Sequence, residues 1–351
     1  MRIIVTGGAG FIGSAYIRKA ASRGDHLLII DKMTYASSRE AIQEPLATGQ
    51  ATLVEMDICN DANIMSQIME SQPDRIIHFA AESHVDNSIA APNDFIQTNI
   101  VGTYNLLNVA RSYWDGLTGD ARNNFRFHHI STDEVYGDLP HPDDLPLGQE
   151  TEQFKETTPY KPSSPYSASK AASDHLVQAW HRTYGLPITM SNCSNNYGPF
   201  QHVEKLLPKT INNALSCLPI PIYGNGRNIR DWLYVDDHID AIDLIVSNGQ
   251  LGSTYNIGAS CELTNIDLVT KVLTKLNHLC PIDKNIHNSS RLTSYLDLIA
   301  FVNDRAGHDL RYAIDASKIQ NELAWQPAHT LEEGLDKTIT YFIQKFSDAE
   351  A

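Results

Sequence analysis

Short apolar runs alternate with amphipathic stretches along the N-terminal half of the chain. The apolar runs are rich in β-branched residues, as expected of strands buried on both faces of a parallel sheet. They occupy residues 2–6, 25–31, 51–56, 75–80, 125–131 and 187–191, and helical patterns cover 14–22, 61–71, 92–113 and 165–184. This alternation predicts an α/β fold with a Rossmann-type doubly wound parallel sheet.

The regular alternation ends after Pro199, where we expect a smaller C-terminal α/β lobe that binds substrate. The predicted Rossmann domain covers residues 1–198, with return segments at about 231–258 and 311–326. The lobe then comprises 199–230 and 259–310, with a C-terminal helix at about 331–346. Residues 138–160 are rich in Pro, Asp and Glu, which predicts a surface excursion.

Composition and charge narrow the class of partners. Of the 351 residues, 42% are hydrophobic, and the net charge of −15 argues against nucleic acid or an anionic membrane as a general partner. The five cysteines show no C-x-x-C spacing, which favours reduced thiols. Since no signal-peptide pattern and no membrane-spanning apolar run is visible, we expect a cytoplasmic protein.

A glycine turn follows the first predicted strand. Gly7, Gly10 and Gly13 have a G-x-x-G-x-x-G spacing, and the second strand ends at Asp31. Glycines at such a turn let the backbone approach a pyrophosphate, and the N-terminus of the following helix supplies N–H groups to the phosphates. Asp31 can accept hydrogen bonds from both ribose hydroxyls and would repel a 2′-phosphate, which favours NAD over NADP. A flavodoxin-like turn that binds another phosphate is the alternative.

Polar residues follow later strands and mark the same edge of the sheet. Asp57 and Ile58 are placed to contact adenine, and residues 81–86 form a polar strand exit. Within that exit, His84 is either a ligand contact or a solvated loop histidine. Asn99 lies in the apolar stripe of a predicted helix, so it needs a hydrogen-bond partner from the backbone or a catalytic water.

Two further segments bring reactive side chains together. Thr132, Asp133 and Glu134 follow a buried strand, and Tyr166 and Lys170 share one face of a helix because they are four residues apart. An adjacent ammonium favours the phenolate, so we expect Lys170 to lower the pKa of Tyr166 and make it a general base. The alternatives are a solvated turn for the two acids and an ordinary helix surface for Tyr166 and Lys170.

The glycine turn, Ser131 at its strand end and Tyr166-x-x-x-Lys170 resemble the extended short-chain dehydrogenase/reductase superfamily. Within it, residues 31–36, 80–86, 131–137, 191–199 and 304–309 resemble the dTDP-glucose 4,6-dehydratase family. The resemblance extends from Met1 to about Gln326, and Thr132-Asp133-Glu134 is its most diagnostic element. Asn87 and Ala306 stand where the family usually has Arg and Pro, which leaves only local loop details open.

The resemblance implies a homodimer, packed through the helices at 92–113 and 165–184, that converts dTDP-glucose to dTDP-4-keto-6-deoxyglucose and water. Tightly bound NAD would be regenerated in each turnover, and the product would supply a deoxysugar such as rhamnose. Another nucleotide-sugar 4-epimerase or a UDP-sugar 4,6-dehydratase of the same fold is the alternative, since the choice of thymine rests on resemblance alone. An NAD-binding regulator without turnover is a third possibility, although it predicts damaged catalytic residues.

The chemistry of this reaction suggests a role for each reactive group. Tyr166 would take the proton of the C4 hydroxyl, with Thr132 sharing a hydrogen bond to the same oxygen and Lys170 binding the nicotinamide ribose. The ketone then acidifies C5, whose proton Glu134 would accept. Hydroxide is a poor leaving group, so Asp133 would protonate the C6 hydroxyl, kept neutral by desolvation and its acidic neighbour.

The resemblance also implies two sets of binding residues, with no metal ligand among them. The cofactor set is Gly7, Gly10, Phe11, Ile12, Gly13, Asp31, Lys32, Thr34, Asp57, Ile58, Phe79, Ala80, Ala81, Ser83, Thr98, Ser131, Tyr166, Lys170 and Asn196. The substrate set is Ser83, His84, Thr132, Asn195, Lys205, Leu206, Pro221, Ile222, Tyr223, Arg230, Asn265, Asp304, Arg305 and His308. In the second set, Arg230 and Arg305 would bind the diphosphate and Tyr223 would stack on the base. For Arg230 the alternative is a structural pair with Asp231, and for Lys205 and Asn265 a structural role is equally open.

Overall fold

The computed structural model describes residues 1–146, 148–289, 292–304 and 307–350. The strands are β1 Arg2–Thr6, β2 His26–Asp31, β3 Ala51–Glu55, β4 Arg75–His78, β5 Arg126–Thr132, β6 Ile188–Cys193, β7 Asn195–Tyr197, β8 Ile220–Tyr223, β9 Ile229–Tyr234, β10 Thr254–Ile257, β11 Glu262–Thr264 and β12 Ile299–Val302. The α-helices are α1 Phe11–Ser22, α2 Gln43–Ala47, α3 Asp61–Ser71, α4 Val85–Ala90, α5 Pro92–Phe95, α6 Thr103–Gly116, α7 Gly119–Asn124, α8 Pro165–Tyr184, α9 Leu206–Leu215, α10 Val235–Asn248, α11 Asn265–Leu279, α12 Ser317–Leu323 and α13 Leu331–Glu350. None of the helices in these ranges is long and apolar enough to cross a membrane.

A seven-stranded parallel sheet forms the larger part of the molecule, as predicted. Its strand order is β10-β6-β5-β4-β1-β2-β3, and each neighbouring pair is parallel. The chain runs outward to β3 on one side of β1 and then returns to β4 on the other side. Ligands of doubly wound sheets bind at this kind of switch point, beyond the carboxyl ends of the strands. The topology therefore places the binding cleft above β1 and β4.

Helices cover both faces of this sheet because its strands are apolar on both faces. On one face, Tyr16 and Ile17 of α1 share a buried cluster with Ile239 and Ile242 of α10. On the other face, residues of α3, α6 and α8 pack around Phe127 of β5. The two layers hold the carboxyl ends of the strands in fixed positions relative to each other.

Two small sheets belong to the part of the chain after residue 193. Strand β9 pairs in parallel with β7 and antiparallel with β11, and β8 pairs in parallel with β12. The expectation that the segment from about 231 returns to the large sheet is wrong for β9, because its hydrogen-bonding partners are the two short strands. Within that segment, β10 does join the large sheet beside β6. Helices α9, α11 and α13 pack on one buried cluster next to these small sheets.

The predicted excursion at 138–160 is anchored to the body of the protein. Leu139 and Phe154 are 7% and 2% exposed, and their backbone N–H groups donate to the carbonyls of Arg311 and Ala313. Phe154 also stacks on Tyr136, with ring centroids 5.1 Å apart. The sequence interpretation rested on the many acidic residues and gave no weight to these two apolar ones. The segment is therefore not a purely solvated loop.

The long helix predicted at 92–113 is interrupted. A π-helical segment, Ile96–Gly102, separates α5 from α6. Gly102 packs against Ile58, and a Cβ atom there would lie 2.6 Å from the Ile58 side chain. π-Helical turns are frequent next to functional sites, and this one carries Thr98 and Asn99 toward the carboxyl edge of the sheet.

Candidate active site

A cleft crosses the switch point of the large sheet. Every residue of the predicted cofactor set lines it, from the glycine turn to Asn196. Thr132, Asp133 and Glu134 line the same cleft, together with Tyr166 and Lys170. The fold therefore brings the glycine turn and the reactive side chains, which are more than a hundred residues apart in sequence, into one space.

The glycine turn is built for close backbone approach. Gly7 has φ +71°, and a Cβ atom on it would lie 2.5 Å from the backbone nitrogen of Ala80. A Cβ atom on Gly13 would lie 2.2 Å from the carbonyl oxygen of Gly7. The first helical bond of α1 runs from the N–H of Ser14 to the carbonyl of Gly10, so the N–H groups of the preceding first-turn residues have no acceptor inside the helix. This cradle fits the pyrophosphate of a dinucleotide.

Asp31 is more heavily engaged than its sequence position suggests. Its carboxylate accepts hydrogen bonds from the backbone N–H groups of Ala9 and Met33 and from the hydroxyl of Ser37, at 2.9 to 3.0 Å. A carboxylate offers about four acceptor positions, so a second ribose hydroxyl could bind only if Ser37 turned away. The carboxylate thus also orders the loop that closes the adenosine end of the cleft.

The start of α8 is specified by its sequence and places Tyr166 in the first turn. Ser164 and Ser167 form a reciprocal capping box, Pro165 occupies the first helical position, and Gly185 ends the helix in a left-handed conformation. Both Tyr166 and Lys170 are buried, at 8% and 5% exposed. One turn of helix therefore presents both side chains to the cleft, as predicted from their spacing.

The expected lowering of the Tyr166 pKa by Lys170 is wrong for the protein's own groups. Burial raises the pKa of Tyr166 well above its usual value, and Glu134 acts in the same direction, while the Thr132 hydroxyl opposes them. Lys170 is not among the main influences on this pKa, and its ammonium group donates to the carbonyl oxygen of Ile130 at 2.7 Å. Additional positive charge is needed to make Tyr166 a base near neutral pH.

Asp133 lies at the carboxyl end of β5 with a side chain that is 1% exposed. The Thr132 hydroxyl donates to its Oδ1 atom at 3.3 Å, whereas Oδ2 is buried without a hydrogen-bond partner among the described residues. Burial raises the pKa of Asp133 well above its usual value, and Glu134 and Asp231 raise it further. The surroundings thus favour a neutral carboxylic acid that can donate a proton.

Asn99 has its partners within the protein. Its amide bonds both the N–H and the carbonyl of Glu82 and donates to the hydroxyl of Ser169 on α8. These contacts tie the polar strand exit after β4 to the helix that carries Tyr166. Of the two alternatives for Asn99, a backbone contact is the one observed.

The predicted substrate residues fall into two groups. Ser83, His84, Thr132, Asn195 and Lys205 line the cleft, and the ammonium of Lys205 donates to the carbonyl of Ser83 at 3.2 Å. His84 is partly buried, and its Nε2 atom lies 3.6 Å from a carboxylate oxygen of Glu204. His84 thus lies on the cleft wall, which favours a ligand contact over a solvated loop histidine.

The second group lies on the smaller lobe and is not part of the cleft lining. It comprises Leu206, Pro221, Ile222, Tyr223, Arg230, Asn265, Asp304 and His308. Three of these residues form a local cluster, in which His308 contacts Asp304 at 2.6 Å and the Tyr223 ring at a centroid distance of 6.1 Å. Ile222 is only 2% exposed, so its side chain belongs to the core of the lobe. Arg305 and the departure at Ala306 lie outside the described residues.

The Arg230 side chain is buried and held by groups of the protein. Its guanidinium donates to the carbonyls of Ile229 and Asp309 and lies over the ring of Tyr312, 4.2 Å from the centroid. The alternative pairing with Asp231 does not form either, because that carboxylate accepts backbone N–H groups from Ala259 and Cys261. Arg230 thus braces the lobe from a buried position beside Asp133, whose pKa it lowers.

Several cleft residues were missed in the sequence. Tyr35, Ser37, Cys193, Gln201 and His202 all line it. Tyr35 and His202 are distant in sequence but meet edge to face, with ring centroids 5.6 Å apart, and Asn87 donates to the Tyr35 hydroxyl at 3.0 Å. Their side chains form no periodic or spaced pattern, so only their proximity in the fold identifies them.

Comparison with protein families matches residues 4–338 to the family described as GDP-mannose 4,6 dehydratase. The dTDP-glucose 4,6-dehydratase of Salmonella typhimurium is 52% identical over 98% of this chain and 93% of its own length. The Haemophilus influenzae enzyme of the same name is 51% identical, with 98% of both chains covered. The sequence similarity to these relatives therefore extends over nearly all of the chain.

Solved structures show the same fold. The dTDP-glucose 4,6-dehydratase of Streptomyces venezuelae, determined with NAD bound, superposes with a TM-score of 0.86 at 36% identity and covers 99% of this chain and 98% of its own. The UDP-glucose 4-epimerase of Thermotoga maritima, determined with UDP-glucose, gives a TM-score of 0.81 at 26% identity and covers 99% of this chain and 100% of its own.

Proposed function

The chain belongs to the dTDP-glucose 4,6-dehydratase family, and on this basis we propose how its residues carry out the reaction. It is an NAD-dependent hydro-lyase that converts dTDP-glucose to dTDP-4-keto-6-deoxyglucose and water. The observation that supports this chemistry best is the pair Asp133 and Glu134 beside Tyr166 in one cleft. A simple alcohol dehydrogenation needs only the tyrosine and lysine, whereas elimination of water also needs an acid and a second base.

Tyr166 takes the proton of the C4 hydroxyl, and Thr132 holds the same oxygen. Bound NAD supplies the hydride acceptor for C4, the hydride donor for C6 and, while oxidised, a positive charge that favours the Tyr166 phenolate. The glycine turn would hold the pyrophosphate in the middle of this cofactor, and Asp31 would hold its adenosine ribose. Lys170 keeps its ammonium beside the end of β5, where it can bind the nicotinamide ribose.

Elimination of water is the work of the two acids. Glu134 accepts the C5 proton, which the C4 ketone has made acidic. Asp133 donates its proton to the C6 hydroxyl, because burial and its acidic neighbours keep it neutral. Two adjacent carboxyl groups thus have opposite duties, and the buried one is the acid.

The nucleotide part of the substrate reaches from the cleft toward the smaller lobe. Ser83, His84, Asn195 and Lys205 on the cleft wall surround the sugar and diphosphate. The base lies near Pro221 and Tyr223, where Tyr223 is 39% exposed and offers a ring for stacking. Leu206, Asn265, Asp304 and His308 complete this region as proposed ligands, and Ile222 contributes from the core of the lobe. Arg230 remains the proposed diphosphate ligand, and Arg305 is a proposed ligand on the basis of the sequence alone. This assignment retains the two-part division of the chain, with β9 moved to the substrate lobe.

We also propose a cytoplasmic homodimer. The five cysteines are free thiols, as expected in a reducing compartment. Ile96 and Tyr104, which precede and begin α6, and Tyr184 at the end of α8 are 48%, 45% and 40% exposed. Apolar exposure on the helices at 92–113 and 165–184 supports a helical interface there. Light scattering coupled to gel filtration tests this, and a monomer at micromolar concentration would contradict it.

The activity is tested by incubating the protein with dTDP-glucose and NAD and measuring the alkali-induced absorbance of a 4-keto-6-deoxy sugar. Parallel reactions with UDP-glucose and GDP-mannose test the choice of nucleotide. We expect product from dTDP-glucose. Turnover of another nucleotide sugar without product from dTDP-glucose would refute the proposed substrate.

A further inference from the structure

A group of buried polar side chains lies next to Lys170, on the side away from the cleft, and has no role in the mechanism above. It consists of His129 on β5 and Asp174 on α8, one helical turn beyond Lys170, and both side chains are 1% exposed. The Nε2 atom of His129 lies 3.1 Å from Oδ1 of Asp174. The Ser131 hydroxyl donates to the other oxygen, Oδ2, at 2.7 Å. A fully buried carboxyl group with both oxygens engaged is costly unless its charge has a partner.

The contacts of His129 assign the proton in this group. Its Nε2 atom has three neighbours: Asp174 Oδ1 at 3.1 Å, Ser173 Oγ at 3.4 Å and Lys170 Nζ at 3.5 Å. The Ser173 hydroxyl already donates to the carbonyl of Lys170. The shortest contact therefore carries the hydrogen bond, with the Nε2–H group donating to an ionised Asp174. His129 is neutral in this arrangement, since burial lowers its pKa well below the usual value.

Asp174 is also the anion that acts on the charge of Lys170. Burial lowers the pKa of the Lys170 ammonium, and two groups, Asp174 and Cys193, oppose this. Burial raises the pKa of the Cys193 thiol to about 12, so it stays neutral at pH 7 and contributes no charge. The remaining negative charge is that of Asp174. Its Oδ1 atom and the Lys170 Nζ atom lie 3.1 Å and 3.5 Å from the same atom, His129 Nε2.

We propose that Asp174, held in place by hydrogen bonds from His129 and Ser131, is the buried counter-charge that keeps Lys170 protonated and positioned during turnover. This inference rests on the proposed function, in which Lys170 acts as a cation beside the bound cofactor. Asp174 is a positioning residue, because the Lys170 and Ser131 side chains stand between it and the cleft. The same network explains why Ser131, predicted to bind the cofactor, turns its hydroxyl toward Asp174 instead.

The pH dependence expected of Asp174 and Lys170 follows from the shifts in their pKa values. Burial raises the pKa of Asp174 to about 6, although Lys170 lowers it. Below that pH the carboxyl group is neutral and no longer positions the Lys170 ammonium, so kcat should fall as the pH drops through about 6, whereas the effect on Lys170 protonation belongs to the alkaline limb. The other titratable or charged groups that face the pair are His78, His129, Tyr136, Tyr160, Tyr166, His175 and Cys193. Burial keeps His78 and His129 neutral.

The first test compares the pH profiles of kcat for the wild type, Asp174→Asn, Asp174→Glu and Ser173→Ala. For Asp174→Asn we expect a loss of kcat of tenfold or more, no acid limb near pH 6, and an alkaline limb moved down by at least one pH unit. The KM for dTDP-glucose should stay within twofold. Asp174→Glu should restore the acid limb, and Ser173→Ala, which changes the packing around His129 without changing charge, should keep the wild-type profile. An Asp174→Asn profile of wild-type shape would overturn the proposal.

The second test needs neither turnover nor a folded Asp174 variant. Infrared difference spectra between the wild type and Lys170→Met isolate the carboxyl C=O band whose titration depends on Lys170, which lowers the pKa of Asp174 and is not among the main influences on the other buried acids, Asp133 and Asp231. Since Lys170 lowers the pKa of Asp174, its removal should move this titration to higher pH by at least one unit. An unchanged titration would refute the pairing. If the wild type fails to act on dTDP-glucose, the proposed function falls, while the infrared result still decides whether the two charges are coupled.

Discussion

The hydroxyl of Thr132 donates a hydrogen bond of 3.3 Å to Asp133, and the second oxygen of that carboxyl group is buried without a partner among the described residues. Thr132 is therefore the neighbour that orients the acid, and the buried oxygen is the one that bears the cost of ionisation. The difference in burial separates the roles of the two adjacent acids. Asp133 is buried and stays a neutral acid, whereas the Glu134 side chain is only partly buried and can act as the base.

Asp133→Asn should be inactive in dehydration yet more stable than the wild type at neutral pH. In the wild type, the unfolded carboxyl group ionises at low pH while burial keeps the folded one neutral, so stability is lost as the pH rises toward the raised pKa. Each unit of that shift corresponds to about 1.4 kcal/mol. Melting temperatures measured from about pH 4, near the ordinary carboxyl pKa, to about pH 8 should diverge in favour of the variant. The exposed substitution Asp283→Asn is the matched control, and parallel melting curves for wild type and Asp133→Asn would contradict the assignment.

Glu134→Gln should separate oxidation from elimination. The amide cannot accept the C5 proton, so we expect dehydration to fall by about 10²- to 10⁴-fold. Oxidation at C4 depends on Tyr166 and should survive in part, visible as reduced cofactor absorbance that builds up after substrate is added. Glu44→Gln, on an exposed face of α2, controls for the loss of one negative charge. Normal dehydration by Glu134→Gln would show that another group takes the proton.

Gly13→Ala should lose the cofactor. The new methyl group would lie 2.2 Å from the carbonyl oxygen of Gly7, so the turn must open. We expect a cost of about 1–3 kcal/mol in unfolding free energy and a loss of NAD that copurifies with the protein. Gly116→Ala is the control, because a Cβ atom there meets nothing within 4 Å. Equal NAD content in the two variants would contradict a pyrophosphate cradle at Gly13.

Phe154→Ala should destabilise the protein by about 3–5 kcal/mol, as expected for a large aromatic side chain removed from a core. Phe154 is 2% exposed and stacks on Tyr136, which is two residues after the catalytic Glu134. Phe301→Ala, at a side chain that is 60% exposed, should change stability by less than about 0.5 kcal/mol. Urea unfolding measures both. Similar midpoints for Phe154→Ala and the wild type would mean that the segment at 138–160 is not anchored by this ring.

The sequence by itself determined the fold class and most of the cleft. Buried parallel strands demand continuous apolar runs, and a tight turn against phosphate demands glycine, so both leave local signals. The same holds for α8, where the capping box, Pro165 and Gly185 define the helix that carries Tyr166 and Lys170. Each of these features follows from interactions between residues close in sequence.

The tertiary structure decided what depends on burial and on contacts between distant segments. It raised the pKa of Tyr166, turned the Lys170 ammonium toward Ile130 and buried Arg230 against Tyr312. It also brought Asp174 and His129 together next to Lys170, although no spacing pattern in the sequence links these two residues. Desolvation and the geometry of a charged group depend on every segment packed around it, and no local pattern of residues encodes that environment.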